Sequence, residues 1–329
     1  FVFQNKFMRY FLFFLLLSIG INSQVARHRK VILMGSRFDI TIVDKDSLSS
    51  ENKIDIAINE IRRIENLISE WQENTIISEV NRNAGIRPVK VDNEVFDLTK
   101  NALKFSQLSN GAFDISIASM DKIWKFDGSI WEMPAENIIK NAIRNVNYEN
   151  IILDSVNSTI YLKNKGMKIG FGATGKAYSA DKTKKLMQSL GVKAGIINAS
   201  GDIATWGTQP NGKTWTIGIT DPFTSGNILK IIKLKNKSIV TSGDYQKFIE
   251  IDGRRYSHII NPKTGYPSSG ITSVTIIGDN AEIANGISTS IMVLGKKKGL
   301  EFAKKFPNYQ YFIIEDNGNI IQSKGFGKK

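Results

Sequence analysis

Gly170-Phe171-Gly172-Ala173-Thr174-Gly175-Lys176 divides the chain into two differently patterned halves. Helical periodicity dominates before it, and short β-rich runs dominate after it. Its glycines let backbone approach a ligand closely, and it leads into a helical segment. Its amides are therefore placed to surround an anion at a helix N-terminus, with Lys176 adding positive charge. The glycine spacing before Lys176 is not that of a Walker A loop, so the stretch points to phosphate or diphosphate binding outside that nucleotide fold.

On the N-terminal side, Val31 to Val43 alternates as a strand. The segment from Lys53 to Ser69 carries Ile54, Ile58, Ile61, Ile64 and Ile68 at helical spacing. A second helix is expected from near Asp92, with Val95, Leu98, Ala102 and Phe105 on one face, and a third after Pro134. On the C-terminal side, Ala194 to Ala199, Thr214 to Ile219, Ile231 to Leu234, Ser238 to Thr241, Phe248 to Ile251 and Ser273 to Ile277 are β-rich. A helix from Ala281 to Leu294 ends at Gly295, which suits a C′ glycine. With 329 residues, 41% of them apolar, and no repeat or Pro/Ser-rich linker, the chain can build a substantial core. The expectation is α+β, with residues 24–329 forming one domain of interleaved parts.

Met8-Arg9-Tyr10 precedes an apolar run from Phe11 to Ile21, too short to span a bilayer comfortably, followed by polar Asn22-Ser23-Gln24. That order matches a secretory signal peptide over residues 1–23, with 1–7 lying upstream of a start at Met8. Export to the periplasm follows, with a membrane-associated form if the segment stays attached. The chain has no cysteine. This excludes disulfides, thiolate metal sites, cysteine nucleophiles and the lipid-bearing cysteine of a lipoprotein. Any metal must take oxygen or histidine ligands.

The formal charge of +13 falls to +11 without residues 1–23, which hold Lys6 and Arg9 and no acid. Such a surplus attracts nucleic acid, an anionic membrane surface or a phosphorylated ligand. The lysines are dispersed, as in Lys182, Lys184, Lys185 and Lys296 to Lys298, which reads as solvated helix faces. Zinc-finger spacing, an RNP-type aromatic strand and a sustained basic stripe are all missing, so nucleic acid is not an expected partner. The inner membrane surface remains a candidate partner.

The unusual punctuation falls in five stretches: Gly111 to Asp114, Gly170 to Asp181, Asn198 to Asp202, Thr241 to Asp244, and His258 to Pro267. Each alone is an ordinary turn former, but together they point to a ligand site. His258 is one of two histidines, and the other, His28, belongs to an irregular start of the mature chain. A general base and a turn-capping histidine are both open readings of His258. Asn285, Ser288 and Thr289 fall at i, i+3 and i+4 among Ala284, Ile287, Ile291 and Met292. Polar groups on a largely buried helix need partners, and a hard cation is one.

In this order the residues resemble the ApbE family, from Met34 to Gly295. The family's motifs are a Met-Gly strand start, Gly-x-Phe-Asp, Asp-Leu-Gly-Gly-x-x-Lys-Gly-Tyr, Asn-x-Gly-Gly-Asp, Thr-Ser-Gly-Asp-Tyr, His-x-x-Asp-Pro-x-Thr-Gly and Asp-x-x-x-Thr. Here they read Met34-Gly35, Gly111 to Asp114, Gly170 to Tyr178, Asn198 to Asp202, Thr241 to Tyr245, His258 to Gly265 and Asn285 to Thr289. The resemblance implies a T-fold-like α+β architecture with antiparallel sheets flanked by helices. It also implies Mg²⁺-dependent transfer of FMN from FAD to a threonine of an acceptor flavoprotein of a membrane redox complex, releasing AMP. Met34, Trp71, Ala112, Phe113, Asp114, Gly170, Lys176 and Ile259 would lie along FAD. Mg²⁺ would sit between a backbone oxygen of Ala173 and the side chains of Asn285 and Thr289, and His258 would take the acceptor threonine's proton.

Three positions depart from the pattern, with Gly170, Asn261 and Asn285 each standing where the family has aspartate. An asparagine oxygen can ligate Mg²⁺ but brings no charge, and Mg²⁺ sites rely on one or two carboxylates plus substrate phosphates. Asp202, Asp244 and the diphosphate itself are candidates to supply it. The same residues would serve an FAD pyrophosphatase, in which water replaces the threonine. A non-catalytic flavin carrier and an exported protein binding another phosphorylated ligand are the further alternatives.

Overall fold

The computed structural model describes residues 24–127, 129, 132–224, 226–244 and 248–327. The expected leader at 1–23 and Tyr245 of the fifth motif lie outside the described residues. Among the described residues, no helix is long and apolar enough to cross a membrane.

The run expected as one strand from Val31 to Val43 is instead a hairpin of β1 (Val25–Leu33) and β2 (Ser36–Asp44). Met34 and Gly35 turn the chain at φ 50° and 66°. Two left-handed residues make the tight turn whose twist matches the flanking strands. Alternation alone reads straight through it. His28 is not in an irregular start: it lies in β1 opposite Thr41, with Nε2 3.4 Å from Asp39 Oδ1.

The first helix, α1 (Ser47–Ile68), starts at Asp46, whose side chain accepts the Ser49 N–H. Its five predicted isoleucines are all buried, and Ile54, Ile58 and Ile61 pack with Phe38, Ile40 and Ile42 of β2. Helix α2 (Ile76–Arg82), β3 (Val89–Lys90) and α3 (Asn93–Leu108) follow. After the short α4 (Glu136–Ala142), β4 (Ile151–Asp154) and β5 (Thr159–Leu162) join β3 in a small antiparallel sheet. Helix α5 (Gly175–Ser189) leads to β6 (Ala194–Ala199) and β7 (Asp202–Trp206). The hairpin of β8 (Trp215–Thr220) and β9 (Ile228–Leu234) precedes β10 (Ser238–Gly243), then the hairpin of β11 (Phe248–Ile251) and β12 (Arg254–Ser257). Strand β13 (Ile271–Gly278), helix α6 (Ala281–Ala303), β14 (Gln310–Glu315) and β15 (Ile320–Gln322) end the order.

Eight strands form one antiparallel sheet in the order β1-β2-β6-β7-β10-β13-β14-β15. Strand β13 is buried at every position, a continuous apolar and hydroxyl run under α6. Gly295 does interrupt α6, at φ 71° and ψ 177°, but the helix resumes and runs on to Ala303. The architecture is α+β.

Candidate active site

A cavity of about 810 Å³ opens where the turns of the main sheet meet α5 and α6. Four loops and one face of α6 build most of its wall.

The loop from Gly170 to Thr174 is fixed at both ends: Gly170 N–H donates to Ile115 O at 3.0 Å, and Gly175 N–H donates to Phe171 O at 2.7 Å. Helix α5 starts there, and Gly170, Gly172, Ala173 and Lys176 line the cavity. A methyl on Gly175 would lie 2.9 Å from Ile68 Cδ1 and 3.4 Å from Met34 Cε. Met34 thus packs beneath the helix start and is not part of the cavity wall.

Asn110 and Gly111, at φ 51° and 75°, turn the chain into Ala112, Phe113 and Asp114, all on the wall. Asp114 Oδ1 accepts the Ser116 N–H at 2.8 Å and its hydroxyl at 2.7 Å, while Oδ2 accepts the Tyr148 N–H at 2.9 Å. Burial pushes this carboxyl up, and those bonds oppose the shift. The β6–β7 turn uses Ser200 and Gly201 at φ 57° and 101°, and Asn198 Oδ1 accepts the Gly201 N–H at 2.9 Å. Asp202 follows, nearly buried, facing the cavity. Burial drives its carboxyl up to about 7, against the opposing pull of Lys176 and Asn285.

His258 stands exposed on the cavity wall, edge-on to Phe126 with ring centroids 6.3 Å apart, and Ile259 lies beside it. The loop behind is anchored by Asn261, whose Oδ1 accepts the Lys263 N–H at 3.0 Å and whose carbonyl accepts the Gly265 N–H at 2.8 Å. Gly265 O in turn accepts the Trp124 indole N–H at 2.8 Å.

Helix α6 presents Asn285 and Thr289 to the cavity. Ser288, on the same sequence face, turns to Ser242 of β10 at 2.7 Å, with Ser242 Oγ 3.4 Å from Thr289 Oγ1. Asn285 Oδ1 is buried without a hydrogen-bond partner among the described residues. An amide oxygen left so is a hard donor without a donor hydrogen to accept, which fits a cation. Among the described residues no three His, Cys, Asp or Glu side chains cluster as a metal site, so a cation here would rest largely on neutral oxygens.

Ten predicted site residues therefore converge, and two do not: Met34 lies beneath the loop, and Trp71 is 73% exposed off the wall, with Lys122 Nζ 4.6 Å above its ring. Sequence reasoning missed Glu70, Ser36 and the run Ile217 to Thr220 of β8. The β8 residues carry only strand alternation, which gives no sign of a ligand wall.

A model of the ApbE family matches residues 34–313. The chain belongs to the ApbE family. It is 27% identical to an FAD:protein FMN transferase of Klebsiella pneumoniae over 294 residues, covering 89% of this chain and 90% of that one. A Treponema pallidum FAD:protein FMN transferase is 28% identical over 280 residues, covering 80% and 77%. The crystal structure of an ApbE protein from Thermotoga maritima superposes with a TM-score of 0.83 at 28% identity, covering 92% of this chain and 98% of that one.

Each departure from the ApbE pattern has a local account. A methyl on Gly170 would sit 2.8 Å from Glu70 Oε1 and 2.9 Å from its Cδ, while the backbone there does not demand glycine. A carboxylate reaches this spot from position 70 instead of 170. Burial pushes Glu70 up, and the Phe171 N–H and Lys176 pull it back. Asn261 performs the turn bond an aspartate would make, with the same acceptor oxygen. Asn285 is the departure that changes the charge of the site.

Proposed function

We propose that this chain is an FAD:protein FMN transferase acting on a threonine of an exported flavoprotein. The observation carrying this reading is one cavity that joins the α5 N-terminus with Lys176, a set of oxygen donors on α6, and an exposed His258. Its volume of about 810 Å³ falls within the roughly 300–1,000 Å³ of small-molecule and cofactor sites. The curated relatives bearing this activity align over most of the chain.

The amides opening α5 and the Lys176 ammonium suit the FAD diphosphate. Ala112, Phe113 and Ile259 offer apolar surface to the flavin or adenine ring. Ala173 through its carbonyl, Asn285 through Oδ1 and Thr289 through its hydroxyl would hold Mg²⁺, and the unpartnered Oδ1 supports this assignment. When bound, Mg²⁺ would polarise the phosphorus and stabilise departing AMP. His258 takes the proton from the threonine hydroxyl as its oxygen bonds to the FMN phosphorus and the bond to AMP breaks. An exposed base is what a protein acceptor requires, since the threonine arrives on another molecule.

Incubation with FAD, Mg²⁺ and a peptide bearing a flavinylation-type threonine, read by mass spectrometry, tests the reading. An FMN adduct on the threonine is expected. Free FMN and AMP without an adduct would mark a pyrophosphatase, and FAD binding without turnover a flavin carrier. Fractionation of expressing cells tests export: protein found only in the cytoplasm overturns that part.

A further inference from the structure

The hairpin of β8 and β9 has one face in the core and one in solvent. Inward, Ile219, Ile232 and Leu234 are buried against Ile203, Ile239 and Phe312 of the main sheet. Outward, Ile228 is 61% exposed, Leu229 40% and Ile231 62%. Gly218 stands opposite Ile231 across the hairpin and gives it no side chain to pack against. Ile228 leans over the same glycine, its Cδ1 and Cγ2 each 3.2 Å from where a Cβ there would stand. The register slips at this end, which leaves Leu229 with no residue opposite it. Single apolar residues on a surface are ordinary, whereas adjoining ones rimmed by polar groups mark an interaction surface.

The rim is basic. Lys233 follows Ile231 by two residues on the same face, and Lys235 lies just beyond the strand; both are exposed, and neither has an ion-pair partner among the described residues. The other two lysines of the hairpin are already committed. Lys230 turns inward to Gln322 Oε1 at 2.8 Å and over the rings of Phe312 and Phe326, while Lys237 pairs with Asp279. From Trp215 to Lys237 the only acid is Asp221. Bare aliphatic side chains bordered by unpaired lysines match a surface that is apolar beneath and anionic above. Protein interfaces favour aromatic residues, Met and Arg and are poor in Lys, so the composition favours lipid over a protein partner.

We propose that the outer face of the β8–β9 hairpin docks on an anionic phospholipid surface. Ile228, Leu229 and Ile231 enter the headgroup layer, and Lys233 and Lys235 meet lipid phosphates. Ile217 to Thr220 of β8 also line the cavity, so docking holds the cavity beside the membrane.

The chain has no cysteine, so Leu229→Cys places one environment-sensitive fluorophore within the patch, and the label reports on that site whatever residues 1–23 do. Val156→Cys, at a residue 90% exposed in the β4–β5 turn, carries the same label as a control. The full chain is titrated with vesicles of phosphatidylglycerol and phosphatidylcholine, and with phosphatidylcholine alone, and thermal melting is recorded for every variant. A blue shift at Leu229→Cys, quenched by spin-labelled lipid and reduced by salt, is expected with phosphatidylglycerol only. In that background Lys233→Gln/Lys235→Gln should weaken the affinity by about fivefold for each lysine removed. Ile228→Ser/Ile231→Ser should weaken it by about tenfold or more. All these side chains are exposed, so the variants should melt as the wild type does. An unshifted Leu229→Cys label on phosphatidylglycerol vesicles overturns the proposal and leaves the face to a protein partner. An equal shift on both lipids, a shift shared by Val156→Cys, or one unchanged by the lysine or isoleucine pairs overturns it too. A shift without vesicles, with dimers seen by light scattering, assigns the face to a second copy of the chain and also overturns the proposal.

Discussion

Replacing Arg255 by methionine leaves Asp244 as a buried charge with nothing to neutralise it. The Asp244 carboxylate is 2% exposed and Arg255 19%, and the guanidinium donates Nε at 2.9 Å and Nη2 at 2.7 Å to the two oxygens. Nη2 also reaches the Asp244 carbonyl at 3.1 Å, and the guanidinium lies 3.7 Å from the Phe248 ring centroid. Methionine keeps apolar cover over Phe248 while removing every donor. Breaking one side of a buried pair costs about 3–5 kcal/mol, most of it from the stranded partner. The clamp ties β12 to the end of β10, three residues before His258, so the loss also loosens the proposed base. Urea denaturation should show a loss of about 3–5 kcal/mol, and FMN transfer should fall more than FAD affinity. The double variant Arg255→Met/Asp244→Leu should be more stable than Arg255→Met, because the stranded charge is gone. A loss below about 1 kcal/mol, the worth of an exposed pair, or a double variant less stable than the single, refutes the reasoning.

His258→Ala should lower FMN transfer by about 10²- to 10⁴-fold while leaving the FAD Kd nearly unchanged, as calorimetry would show; a parallel loss of FAD affinity would make the residue structural. Thr289→Ala should raise the Mg²⁺ concentration for half-maximal FAD cleavage and Asn285→Asp should lower it, since one removes a donor and the other adds a charge. Unchanged Mg²⁺ dependence in both would sink the α6 assignment. Burial would raise the Glu94 carboxyl, but hydrogen bonds from Arg63 and Tyr178 prevail and hold it at about 2, below its usual 4.5. Its contribution to stability is present above pH 4.5 and disappears as pH falls toward about 2. Acid titration of the melting temperature should therefore show a steeper loss in that window for the wild type than for Glu94→Gln.

The sequence by itself determined what depends on near neighbours along the chain. The isoleucine stripe of α1 repeats at helical spacing, and every one of its five members is buried. The glycine-rich stretch before Lys176 opens a helix, and ten of the residues singled out by motif share one cavity. Chain-local signals of this kind survive folding because periodicity and turn geometry are set within a few residues. The hairpin at Met34-Gly35 escaped because a strand reading tolerates the single slip by which the inward residues pass from odd positions, Val31 and Leu33, to even ones, Phe38, Ile40 and Ile42, across a two-residue turn. Tertiary structure alone decided which acid is free. Asp202 and Asp244 both follow a glycine at a strand end, and only the fold gives Asp244 to Arg255 while leaving Asp202 on the cavity wall. It also decided that Trp71 is not on the cavity wall and that Glu70 occupies the space over Gly170. Partner choice and close approach are set by residues distant in the chain, and no local pattern encodes them.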